Sequence, residues 1–223
     1  MQVDRKLYDA NLRMLEVELE MAGFPDDVTW DLRREMPWSW REHFTVILET
    51  FAYGCALKGM LFFEQMPVND MYRFAAFELE VIGDTDVPKS RFERREGVAV
   101  GLREAVNLMR GRPVYLDYTH DPGRQGHWVE LTAMADEPHV PLKSCWEFSV
   151  DAALERGLFR RRLGADGCFD LARKLEKGDR VRLEINGKTV FVEVDLLRER
   201  LTLTNAAGKP AKLNWWELFL ARG

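Results

Sequence analysis

Two histidines flank a predicted turn and could share a metal ion. His120 and His127 lie on either side of residues 121–126, Asp-Pro-Gly-Arg-Gln-Gly, a composition typical of a turn between two strands. If the two histidines are paired across this turn, both lie at the end of one face of a hairpin, where their ring nitrogens could bind zinc. Asp121 is the nearest further candidate ligand.

The same hairpin carries two carboxylates on its other face. In the register that pairs the histidines, Asp117 lies opposite Glu130, and the two groups repel unless they share a proton or a cation. Four ligands cannot converge from opposite faces of one hairpin, so we assign no metal and no cofactor to the chain. A metal-dependent hydrolase built on residues 117–130 is an alternative function.

A basic region with nearby aromatic residues follows in the last third of the chain. Such a combination suits single-stranded nucleic acid, because arginine and lysine meet phosphates while bases stack on rings. An acidic protein surface is the other partner that it fits. The candidate binding residues are Arg160, Arg161, Arg162, Arg173, Lys174, Arg182, Phe191, Trp215 and Trp216. Because adjacent residues of a strand point to opposite faces, either Trp215 or Trp216 is expected at a surface.

Composition indicates a folded chain with an uneven distribution of charge. The 223 residues are 46% hydrophobic and 31% charged, which is far from the composition of disordered chains. Residues 1–139 hold 16 basic and 25 acidic side chains, and residues 140–223 hold 16 and 12, so the net charge of −5 is divided into −9 and +4. The C-terminal part can therefore offer a basic surface although the whole chain is acidic.

Several classes of protein are disfavoured by what the sequence lacks. The first residues are charged where a secretory signal is apolar, and the apolar stretch 44–63 is interrupted by Glu49 and Lys58. The three cysteines are far apart, which suggests free thiols. Nucleotide-binding and hydrolase motifs do not occur. We expect a cytoplasmic protein that does not contact a membrane.

Helix signals predominate in the N-terminal half. Tyr8, Leu15 and Leu19 belong to an apolar stripe with steps of three and four residues. Capping boxes begin at Ser39 and Ser90, each followed three residues later by glutamate. The predicted helices span residues 4–22, 40–64, 70–81 and 91–111.

Alternation of apolar and polar residues begins after Pro113 and predicts strands. Short helices are expected at residues 151–156 and 167–177, and then Asn186-Gly187 marks a tight hairpin that pairs Leu183 with Val190 and Val181 with Val192. A third strand at 200–204, a Gly-Lys-Pro turn and an aromatic tail follow. Residues 178–223, about a fifth of the chain, therefore resemble a small SH3-like barrel, a likeness that implies no single function.

The sequence thus predicts an α+β protein with a helical N-terminal half and a β-rich C-terminal half that ends in a small SH3-like barrel. The expected domains are residues 1–112, 113–177 and 178–223. The preferred function is that of a non-enzymatic binding or regulatory protein whose basic, aromatic C-terminal half contacts nucleic acid or an acidic protein surface. A second alternative to it is an assembly or inhibitor component that binds another protein through the acidic helical half.

Overall fold

A computed structural model describes most of the chain as a mixture of helices and antiparallel sheets. The described residues are 4–37, 41–84, 87–94, 100–116, 126–131, 142–145, 148–155, 158–185 and 187–211. The chain forms two compact units, the first mainly from residues 1–110 and the second mainly from residues 111–117, 123–132 and 142–223. None of the helices in the described ranges combines the length and the apolar character needed to cross a membrane.

The first unit begins with two helices. Helix α1, Arg5–Met21, confirms the prediction for residues 4–22, and its N-cap Asp4 accepts a hydrogen bond from the Lys6 backbone N–H at 2.9 Å. Helix α2, Asp26–Glu35, has acidic residues in its first turn and basic residues in its last, which suits the helix dipole.

A four-stranded antiparallel sheet follows the two helices in the first unit. Its strands are β1, His43–Ala52; β2, Cys55–Gln65; β3, Tyr72–Val81; and β4, Ser90–Glu93, and they lie side by side in chain order. The predicted helices at 40–64 and 70–81 are therefore wrong. Burial along β1 alternates from Phe44 to Leu48, as it does in a strand with one covered face.

The fourth predicted helix, residues 91–111, is wrong at its start and correct over Leu102–Met109. Ser90 is a buried residue of β4 whose hydroxyl donates to the Pro88 carbonyl, so it does not cap a helix, and Ser39 lies outside the described residues. Helix α3 spans only Leu102–Met109.

The covered face of the sheet is filled by aromatic side chains, among them Phe44 and Phe63, whose rings stack with centroids 4.6 Å apart.

In its described residues, the second unit contains two three-stranded antiparallel sheets and two helices. The first sheet has the order β5, Val114–Leu116; β6, His127–Leu131; and β7, Leu142–Cys145. Helices α4, Val150–Glu155, and α5, Leu158–Glu176, precede strands β8, Val181–Ile185; β9, Lys188–Asp195; and β10, Arg200–Thr204. Trp128, Leu171 and Val192 belong to one core, and the Trp128 indole N–H donates to the Phe148 carbonyl at 2.8 Å.

The predicted Asn186-Gly187 hairpin is confirmed in its register, but the SH3-like barrel is wrong. Leu183 pairs with Val190 and Val181 with Val192, as expected. Within the described residues, strands β8, β9 and β10 form an open sheet in the order β10-β9-β8, and α5 packs against β8 and β9. The apolar face that a barrel would close with further strands is covered here by a helix. The fold class predicted from sequence is consequently wrong, since the N-terminal unit contains a four-stranded sheet and helices occur in both units.

Candidate functional site

Helix α5 separates a buried side from a charged side. Its apolar residues Cys168, Leu171, Ala172 and Leu175 are buried in the core of the second unit. The helix is kinked at Gly164, whose backbone dihedrals are φ 71° and ψ −171°. Its solvent side carries five residues that we name the α5 basic surface: Arg160, Arg161, Phe169, Arg173 and Lys174.

Arg160 and Arg161 lie before the kink and are both exposed. In the described part of the chain neither makes an ion pair or a side-chain hydrogen bond. Arg162 differs from them, because its Nη2 donates to the Glu184 carbonyl at 2.6 Å and so connects α5 to β8. Of the three consecutive arginines predicted as binding residues, two therefore have guanidinium groups that can reach a partner.

Arg173 and an aromatic ring form a second part of this surface. Phe169 is 57% exposed, and the Arg173 guanidinium carbon lies 4.9 Å from the centroid of its ring. The two residues are four apart on the helix, which places them on the same side. Sequence reasoning missed Phe169, although its position four residues before Arg173 in a predicted helix places a ring beside that basic side chain.

The outer face of the last sheet carries arginines that already have carboxylate partners. Arg182 Nη2 lies 2.8 Å from Glu184 Oε1, and Arg180 Nε lies 3.5 Å from Glu193 Oε1. The Arg180 guanidinium also covers Phe191, with its carbon 4.2 Å from the ring centroid. Arg182 and Phe191 are thus neighbours in the β8–β9 register. The Arg182 charge is already paired with Glu184, however, and the Phe191 ring is covered by Arg180.

The remaining predicted binding residues divide into two groups. Lys174 is exposed on α5 beside Arg173, at the end of the helix where cationic side chains are favoured by the dipole. Trp215 and Trp216 lie outside the described residues.

The thiol of Cys168 lies beneath the α5 basic surface. Burial raises its pKa, the positive charge of Arg160 acts in the opposite direction, and Glu155 raises it further. The net effect disfavours the thiolate that a nucleophilic cysteine requires. Cys168 is therefore a buried core residue.

The histidine hairpin differs from the register predicted for it. His127 pairs with Leu116 and Val129 pairs with Val114, whereas the prediction paired Tyr118 with Val129 and His120 with His127. His127 is buried, and desolvation lowers its pKa. His120, Asp121 and Asp117 lie outside the described residues. Among the residues that are described, no three His, Cys, Asp or Glu side chains are grouped closely enough to hold a metal ion.

A cleft in the second unit is lined by acidic residues whose partners are local. Its volume is about 300 Å³, and Glu130, Glu193 and Asp195 are among its lining residues. The Glu193 carboxylate accepts from Thr204, and Asp195 pairs with Arg198 and Arg200. The Glu193 and Asp195 carboxylates therefore have their partners in and beside the β9–β10 hairpin, and we assign no catalytic role to the cleft.

Comparisons with known proteins do not extend these observations. A scan against protein-family models finds no match, and searches of curated proteins and of solved structures find none either.

Proposed function

We propose that this protein is a non-enzymatic binding protein whose α5 basic surface contacts single-stranded nucleic acid. The observation that carries the proposal is that α5 exposes two arginines that lack ion-pair partners in the described chain, Arg160 and Arg161, and, beyond its kink, the ring of Phe169. Guanidinium groups of this kind neutralise phosphates, and an exposed ring accepts a stacked base.

Helix α5 is a better candidate for phosphate binding than the adjoining sheet, because the arginines of the sheet already have carboxylate partners. Arg180, Arg182 and Arg200 each lie within 4 Å of a carboxylate, so a phosphate would have to displace an existing ion pair. Arg160 and Arg161 require no such exchange. The Arg173 guanidinium lies over the Phe169 ring. Because Phe169 is still 57% exposed, the ring remains accessible to a base.

The direct test is titration of the protein with a labelled single-stranded oligonucleotide, followed by fluorescence anisotropy at several salt concentrations. We expect the logarithm of the binding constant to fall linearly with the logarithm of salt concentration, with a slope of about −0.7 for each phosphate neutralised. In Arg160→Gln/Arg161→Gln the slope should become smaller by about 1.4, because two contacts are lost.

Stacking is tested separately from charge. Phe169→Ala should weaken binding by roughly 1–3 kcal/mol and leave the salt slope unchanged, because a stacked ring releases few ions. Phe191→Ala should weaken it less, since Arg180 covers that ring. The matched control is Arg5→Gln/Arg13→Gln, which removes the same charge from exposed positions of α1.

The control should bind like the wild-type protein. If neither DNA nor RNA binds at low salt in single- or double-stranded form, the nucleic-acid proposal is wrong. The exposed arginines would then have to serve an acidic protein surface, the other partner that the sequence suggested.

A further inference from the structure

The two edges of the first unit's sheet are satisfied differently. On the β3 side, where β4 is too short to reach, α1 supplies side-chain partners: Asn11 hydrogen-bonds to both backbone groups of Tyr72, and Glu18 accepts from the Phe74 N–H. On the β1 side, no described residue bonds to the outer edge of the strand. Among the described residues, α1 thus bonds to the part of β3 that extends past β4, whereas the outward backbone groups of β1 have no bonding partner.

The hydrogen-bond pattern shows which groups of β1 face this edge. The Gln65 N–H donates to the Glu42 carbonyl at 2.9 Å, so residues 42 and 65 form a hydrogen-bonded pair of the β1–β2 ladder. Bonding direction alternates along a strand, so the even-numbered residues of β1 bond to β2. The odd-numbered residues direct their N–H and C=O groups outward; these are His43, Thr45, Ile47, Glu49 and Phe51.

Strand β1 lacks the features that normally prevent edge pairing. It is ten residues long, contains no lysine, proline or glycine, and pairs with β2 without a bulge. The side chains at its free edge are exposed and partly apolar, with Ile47 64% and Phe51 74% accessible to solvent. An edge of this length and composition favours the addition of another strand.

We propose that β1 pairs with β1 of a second copy of this chain, antiparallel about a two-fold axis at Val46, so that one sheet continues across a homodimer. This register places His43 opposite Glu49 of the other copy twice, and Thr45 opposite Ile47. Moving the axis to Ile47 or Leu48 places the Glu49 carboxylate opposite Thr45 or Ile47, whereas moving it to Thr45 places it opposite Arg41, which precedes the strand. His43 is the one basic side chain within β1, and the axis at Val46 is the one that pairs it with Glu49.

The first test removes one outward N–H without touching the β1–β2 ladder. Thr45→Pro should abolish the dimer and preserve the fold, because proline is tolerated in an edge strand where its nitrogen faces away from the sheet. Thr45→Ala is the matched control and should remain dimeric. Sedimentation equilibrium of the full chain over a concentration series gives the mass, and far-ultraviolet circular dichroism gives the fold.

The second test changes only an exposed side chain and does not depend on how well a proline is accommodated. His43→Glu places like charges opposite each other twice in the dimer and should raise the dissociation constant roughly three- to tenfold. His43→Lys places a permanent positive charge opposite Glu49 and should lower it.

Two results would overturn the proposal. One is a wild-type chain that remains monomeric at the highest concentrations reached. The other is a dimer whose dissociation constant responds to neither His43 variant, which would mean that the copies associate through another surface or through another register of β1. Because these variants lie in the first unit, nucleic-acid binding by α5 succeeds or fails independently.

Discussion

At the scale of a single residue, one amide side chain completes the hydrogen bonding of β3. Asn11 Nδ2 donates to the Tyr72 carbonyl at 2.8 Å, and Asn11 Oδ1 accepts from the Tyr72 N–H at 2.8 Å. Asn11 is fully buried, so water cannot replace either bond. A polar residue therefore occupies a position of α1 that faces the core, because its side chain bonds to Tyr72, 61 residues away in the chain.

Replacing Asn11 should consequently be costly. In Asn11→Ala the Tyr72 N–H and C=O both lose their partners in a buried place, and we expect a loss of roughly 2–4 kcal/mol in the free energy of unfolding. Asn69→Ala is the matched control, because Asn69 is exposed and accepts one backbone hydrogen bond, from Met71. Urea unfolding measures both. Equal losses in the two variants would contradict the role assigned to Asn11.

At the scale of secondary-structure elements, the pairing of β2 with β3 requires a glycine at position 59. A Cβ atom at Gly59 would lie 1.9 Å from the Glu78 carbonyl oxygen and 3.3 Å from the Leu79 Cα. Both neighbours are backbone atoms of β3, which cannot rotate away as a side chain can. Close approach of the two central strands of the sheet therefore depends on the absence of a side chain at this position.

Gly59→Ala should therefore destabilise the protein by roughly 3 kcal/mol or more, the upper end of overpacking costs. Gly54→Ala separates this steric effect from backbone strain, because Gly54 has a φ of 75° but open space around its Cβ position. We expect about 1 kcal/mol for Gly54→Ala. Thermal unfolding of the two variants gives the comparison, and a Gly59→Ala cost no larger than that of Gly54→Ala would refute the argument.

Ion pairs distributed over both units make the stability of the whole molecule depend on pH. A hydrogen bond from Lys89 is the largest cause that lowers the pKa of Glu78, with Arg91 adding to it. A hydrogen bond from Arg198 likewise lowers the pKa of Asp195. A carboxyl group whose pKa is lower in the folded state stabilises the protein above its unfolded pKa, and this contribution disappears as pH falls through the folded value.

We therefore expect Glu78→Gln/Asp195→Asn to be less stable than the wild-type protein at pH 7 and equally stable at a pH below both folded pKa values. Each pair should contribute a few tenths to about 1 kcal/mol, because these side chains remain partly hydrated. Urea midpoints measured from neutral to acidic pH test this expectation. Glu20→Gln, at an exposed position of α1, is the control. A difference that persists unchanged at acidic pH would show that the substitutions act through packing.

The sequence alone determined those features whose causes are local in the chain. Helix α1 follows from its apolar stripe, and the β8–β9 register follows from a two-residue turn between alternating strands. The second part of α5 follows from the helix signal at residues 167–177, which ends at Gly178. In each case the residues that decide the structure lie within a few positions of those that adopt it.

Only the tertiary structure decided the fold of residues 43–81. Ile47, Met60 and Phe62 give the outer face of the sheet an apolar character, which hides the strand alternation and makes the segment resemble a buried helix. The tertiary structure also decided which basic residues are free, because Arg180 meets its carboxylate partner across the sheet and Arg162 meets its carbonyl partner on another element. Pairings between residues distant in the chain determine both outcomes, and no local pattern records them.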